Sequence, residues 1–170
     1  MKIAFCVVAS CLIAALPATA QESGLRDELL DRLAGTWLMQ GTIAGDEVNH
    51  DVVAEWVLDH YYLRLHELAR EKDDRGEPAY EAIIIIGWDE PSGRYVCQWL
   101  DSTGGGGLTG EGLGYAQPDG DELAWVFDTP EVLIHNTFTY RRDSDTWQWA
   151  IDTGQAGNLA PFARVTLTRQ

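Results

Sequence analysis

The sequence predicts an all-β fold: an antiparallel up-and-down β-barrel of about ten strands with a short N-terminal helix. Three observations carry this. From Trp37 onward apolar residues recur with a period of two. Clusters of Gly, Pro, Asp and Ser separate the runs at hairpin-like spacings. A single amphipathic stretch, Leu29-Leu30-Asp31-Arg32-Leu33-Ala34-Gly35-Thr36-Trp37, precedes them all, and no second helical pattern of any length follows.

Residues 1–20 read as a signal peptide. Lys2 is a minimal positive region, Ile3 to Leu16 is apolar, and Ala18-Thr19-Ala20 is a small-residue cleavage site. The apolar run is shorter than the roughly 18 residues a bilayer span needs, so export and cleavage near Ala20 are expected, with a periplasmic or secreted product and no membrane span. The alternative is a lipoprotein cut before Cys11, after Val8-Ala9-Ser10. Residues 21–170 form one expected domain, large enough to bury a core.

The full chain carries a net charge of −15, and loss of Lys2 with the leader makes it −16. Such a surface repels phosphates and anionic lipid heads, which argues against nucleic acid as a partner. Cys97 is the only cysteine beyond the leader, so no intramolecular disulfide is available there. In Tyr95-Val96-Cys97-Gln98-Trp99 it reads as a small buried hydrophobe.

Taken in order, Leu25, Leu29, Leu30 and Leu33 predict a helix of about three turns, closed by Gly35. Trp37, Met39, Gly41 and Ile43 share one face of a first strand; His50, Val52, Ala54, Trp56 and Leu58 share one face of the second. The third, Tyr61 to Ala69, sets Leu63 and Leu65 on one face against Tyr62, Arg64 and His66 on the other. Ile83-Ile84-Ile85-Ile86 predicts a strand covered on both sides. Tyr95 to Asp101 returns after the turn Asp89 to Gly93. Leu108 to Tyr115 is expected as a strand with Gly110, Gly112 and Gly114 on one face, which implies a bend or a bulky neighbour. The turn Gln117 to Asp121, then Leu123-Trp125-Phe127, Val132 to Arg141, Thr146 to Asp152 and Phe162 to Thr168 complete the set, with a longer loop over Gly154 to Pro161.

Leu33-Ala34-Gly35-Thr36-Trp37 resembles the Gly-x-Trp opening of lipocalin-like (calycin) barrels. There the Trp plugs the closed end against an Arg near the last strand, which implies Trp37 with Arg169, or less well Arg164. Ile86-Gly87-Trp88-Asp89, Gly93-Arg94-Tyr95-Val96 and Trp99-Leu100-Asp101-Ser102 add a likeness to the bacterial family called "domain of unknown function 1579". That resemblance spans most of residues 21–170 and implies a calycin-like barrel, without an established activity or catalytic residues. The leader and the run Gly104-Gly105-Gly106-Gly107 depart from it.

Seven tryptophans, at 37, 56, 88, 99, 125, 147 and 149, are expected mostly to pack the interior, with at least one lining a pocket. The candidate ligand-binding residues are Tyr62, Arg64, His66, Trp99, Asp101, Glu111 and Trp125. An inward Arg64 would need a counter-charge from Asp101 or Glu111; an outward polar face is the competing reading. The histidines lack zinc spacing and no metal site is expected. Haem through His135 is the alternative that a related barrel type, the nitrobindins, suggests. No nucleophile elbow or phosphate loop is present.

The expected function is reversible binding of a small apolar or amphipathic molecule in the barrel. The alternatives are a cell-envelope enzyme using Arg64, His66, Asp101 and Glu111, and an interaction protein with a packed barrel.

Overall fold

The computed structural model describes residues 24, 25, 27–104 and 107–170. The expected leader and its cleavage site, the alternative at Cys11, and Gly105 and Gly106 lie outside the described residues. A short helix α1 (Glu28–Leu33) leads into β1 (Gly35–Ile43), β2 (Asp46–Val57), β3 (Tyr62–Ala69), β4 (Glu81–Asp89) and β5 (Arg94–Asp101). A 3₁₀ turn (Gly110–Gly112) precedes β6 (Leu113–Ala116) and the two-residue β7 (Pro118–Asp119). Then come β8 (Glu122–Asp128), β9 (Leu133–Arg141), β10 (Thr146–Gln155) and β11 (Asn158–Arg169). Neighbours pair antiparallel in the order β6-β5-β4-β3-β2-β1-β11-β10-β9-β8, and a β6–β8 pairing at Tyr115 and Val126 closes ten strands into a barrel. Only β7 hangs outside the ring, on β8. The expected all-β antiparallel barrel with a short helix is thus the fold.

The helix is shorter than its leucine spacing predicts, because Asp27 caps it. The Asp27 carboxylate accepts from the Leu29 and Leu30 amides at 2.9 Å each, so the chain up to Leu25 stays outside the helix. Leu30 and Leu33 are fully buried and close one barrel end. Trp37 Nε1 donates to the Leu33 carbonyl at 2.8 Å, and Trp56 Nε1 donates to Asp31 at 2.8 Å. The Tyr95 hydroxyl donates to Asp27, tying β5 to the helix cap. Gly35 begins β1 at φ 144°, where a Cβ would collide with the Arg169 guanidinium. The β2–β3 connection carries three successive left-handed residues, Leu58, Asp59 and His60, at about 1–2 kcal/mol each. It is held by the Leu25 amide on the His60 carbonyl at 2.8 Å and by the His60 ring stacked 4.0 Å from Trp56.

Three expectations are corrected. Ile83 to Ile86 is covered on one side only: Ile84 and Ile86 are buried, whereas Ile83 is 36% exposed, since a barrel strand has one core face. Leu108 to Tyr115 is not one strand; Gly110 and Gly112 belong to the 3₁₀ turn, and only Gly114 sits in β6. There the bulky neighbour is real, for a Cβ on Gly114 would lie 2.5 Å from the Phe127 ring. Finally, 154–161 is not a loop but the tip of the long β10–β11 hairpin. Its register shifts between Ile151 and Asp152, opposite Pro161, which lacks the amide a regular ladder needs.

Candidate functional site

With α1 across one end, the antiparallel register carries Ile43, His50, Glu67, Asp101, Asn136 and Ile151 toward the other. Strand alternation then decides which of these point inward. On β3 the buried face is Leu63, Leu65, Glu67 and Ala69. On β2 it includes His50, Val52 and Ala54. His50, Glu67 and Asn136 are the buried polar side chains among the described residues, at 5%, 1% and 3% exposure.

His50 Nδ1 and Glu67 Oε1 lie 2.6 Å apart. The two residues are diagonal across the β2–β3 ladder, where His50 faces Ala69 and Glu67 faces Val52. The His50 ring stacks on Tyr80 with centroids 5.9 Å apart. Tyr80 is delivered by the segment between β3 and β4, whose return is fixed by the Ala69 amide on the Tyr80 carbonyl at 2.9 Å. The Tyr80 hydroxyl reaches Asp101 at 3.5 Å. Asp101 also accepts from Trp99 Nε1 at 3.2 Å and from the Thr103 amide at 2.8 Å.

Burial holds the Glu67 carboxyl above the ordinary glutamate range; the His50 contact opposes this, and the nearby Asp101 charge adds to it. Burial likewise pushes the Tyr80 hydroxyl up, helped by Glu67 and Asp101. Glu67 Oε2 is buried with no hydrogen-bond partner among the described residues. Most buried polar atoms are satisfied, so this oxygen is an open acceptor in the barrel.

Aromatic rings flank the cluster. Trp99 and Trp149 pack at 5.6 Å, and Trp149 stacks on Phe138 at 4.6 Å and 17°. Trp149 Nε1 donates to Asn136 Oδ1 at 2.6 Å, which fixes the indole. Half-buried Ile43, Val48, Ile134 and Ile151 pack against the same core.

Of the residues singled out from the sequence, Trp99, Asp101 and Trp125 belong to inward-facing sets, Trp125 among the fully buried side chains. Tyr62, Arg64 and His66 do not line the interior. They alternate with buried Leu63, Leu65 and Glu67 and so face out. Arg64 pairs with Glu55, His66 Nε2 lies 2.7 Å from Glu81, and Tyr62, 42% exposed, lies over Gly87. Glu111 is exposed in the 3₁₀ turn. The four groups of the enzymatic alternative therefore do not converge. His135 alternates with buried Asn136 and sits on the outer face, away from any haem held inside the barrel.

The sequence reading missed His50, Glu67, Tyr80 and Asn136 as a group. The signal for Glu67 was present: it continues the Leu63–Leu65 face by one more step of two. Trp37 and Arg169 meet at the helix end, with the guanidinium 4.0 Å over the indole. Arg169 also donates to the Ala34 carbonyl at 3.2 Å and to the Arg32 carbonyl at 3.0 Å. Arg164 is engaged elsewhere, with Asp152 at 2.5 Å.

An open depression of about 480 Å³ at the helix end is lined by Glu28, Asp31, Arg32, Tyr140, Asp145 and Arg169. Among the described residues no group of three or more His, Cys, Asp or Glu is placed to hold a metal ion. No helix among them is long and apolar enough to cross a membrane. Cys97 is buried, and burial pushes its thiol up, away from nucleophilic use. No protein-family model and no curated protein matches the sequence.

Proposed function

We propose that the protein is exported and binds a small amphipathic molecule reversibly at the barrel end opposite α1. The supporting observation is the buried His50–Glu67 pair, with an open carboxylate oxygen, set beside the Trp99–Trp149 aromatic wall. Polar groups that converge among apolar and aromatic side chains are the usual composition of a ligand site. The ligand's polar end meets Glu67, Tyr80 and Asp101, and its apolar body lies along Trp99, Trp149 and the rim isoleucines. The resemblance to calycin-like barrels of the "domain of unknown function 1579" type is in keeping with this reading. So is the leader-like start of the chain.

Native mass spectrometry of the protein, purified gently from the envelope of its own host, tests it. A retained mass that leaves on denaturation supports the proposal and identifies the ligand class. A clean apo mass, with no change in tryptophan fluorescence on titration with alkyl and aryl amphiphiles, rejects it in favour of a packed barrel acting through its outer face.

A further inference from the structure

We infer that the ligand is an organic cation, a protonated amine on an apolar body, with its ammonium seated between Glu67 and Asp101. This rests on the binding reading above and adds the charge class.

The buried polar side chains among the described residues are His50, Glu67 and Asn136, so no lysine or arginine is buried beside the two carboxylates, and the one basic group there, the His50 imidazole, is engaged on Glu67 Oε1 and leaves Oε2 unserved. The arginines on neighbouring strands are spent on outer pairs: Arg64 with Glu55, and Arg70 with Asp51. Asp101 is served by neutral donors, the Trp99 indole, the Tyr80 hydroxyl and Thr103. Glu67 Oε2 is served by none, although Glu67 is almost wholly buried on the inward face of β3. An incoming anion would meet Asp101 and a Glu67 carboxyl that burial already keeps from ionising, whereas a neutral donor would fill the open acceptor without offsetting either. An ammonium does both, because it carries three donors and a positive charge.

Two further features agree. The Tyr80 hydroxyl and the Trp99 indole N–H both reach Asp101, which brings two aromatic rings of the kind that attract cations close to the carboxylates. The strongly acidic surface, −15 over the chain, raises the local concentration of cations and depletes anions.

The test is a matched series on one apolar body, octylamine, octanoate and octanol, titrated into the purified protein by calorimetry and tryptophan fluorescence at low and moderate salt. Octylamine is expected to bind about tenfold tighter than either of the others, a difference set by charge alone. E67Q is expected to bring octylamine to within about twofold of octanol on the same variant, and D101N to narrow the gap. If octanoate or octanol binds as tightly as octylamine, the cation assignment is overturned and the binding reading stands. If none of the three binds and the native mass is clean, both fall. Should E67Q not fold, the ranking on the unaltered protein decides.

Discussion

Arg169 lies with its guanidinium 4.0 Å over the Trp37 ring, so the last residue of β11 clamps the third residue of β1. The same guanidinium donates to the carbonyls of Arg32 and Ala34 and to Asp145 Oδ2, the last at 2.8 Å. One planar fork therefore joins the helix exit, the first strand and the β9–β10 turn. The end of the barrel is closed by chain segments from both extremes of the domain.

R169A removes the stacking and three sets of hydrogen bonds at a partly exposed site and is expected to destabilise by about 2 kcal/mol. R169K is expected to recover less than half of this, because an ammonium cannot stack and fork together. Urea midpoints of the two variants check it; equal stability of R169K and the parent would count against the clamp.

Gly114 is a packing glycine. G114A places a methyl 2.5 Å from the Phe127 ring and is expected to destabilise by about 1–3 kcal/mol. F127L on the G114A background should restore part of the loss, a coupling that a double-mutant cycle reads directly. Strict additivity of the two substitutions would refute the contact.

The buried carboxyl makes stability depend on pH with a defined sign. The folded state holds the Glu67 proton more tightly than the unfolded chain, whose ordinary value is 4.5. Its contribution is therefore full below 4.5 and lost as pH rises through the folded value. As pH rises above 4.5 the urea midpoint of the parent is expected to fall relative to that of E67Q. Asp51 and Asp145, held low by Arg70 and Arg169, act with the opposite sign below their ordinary 3.8 and leave this window undisturbed. Parallel profiles would contradict the burial of Glu67.

Orientation on β3 is open to a direct check. Y62A, R64A and H66A are expected to leave the affinity for any barrel ligand within about twofold, since these side chains face out. W99A is expected to weaken it about tenfold or more, because the indole belongs to the proposed wall. A large loss in R64A would mean that the site lies on the outer face.

Much of the fold is legible because a period of two is written strand by strand. Leu63 and Leu65, or Trp125 and Phe127, announce a buried face wherever they occur. The candidate site was less legible for the same reason. Glu67 and His50 lie on announced faces, but a charged residue breaks the apolar pattern that marks them, and the apolar run of that face ends at Leu65. Ile83 to Ile86 misled in the other direction: apolar residues on both faces of a strand do not imply two covers when the sheet closes on itself. Asp27 shortened the helix because a capping carboxylate outweighs leucine spacing at the N-terminus.

The sequence by itself determined the class of the fold, the order of the ten barrel strands, most of their turns, and the apolar start that becomes a plug. These depend on neighbours a few residues apart, and local chemistry suffices for them. Only the tertiary structure decided which face of β3 is the inside, how Arg169 meets Trp37, and that His50, Glu67, Tyr80 and Asp101 form one group. Those relationships join residues from 17 to more than 130 positions apart. They exist because barrel closure brings distant strands into one register and removes the water between them.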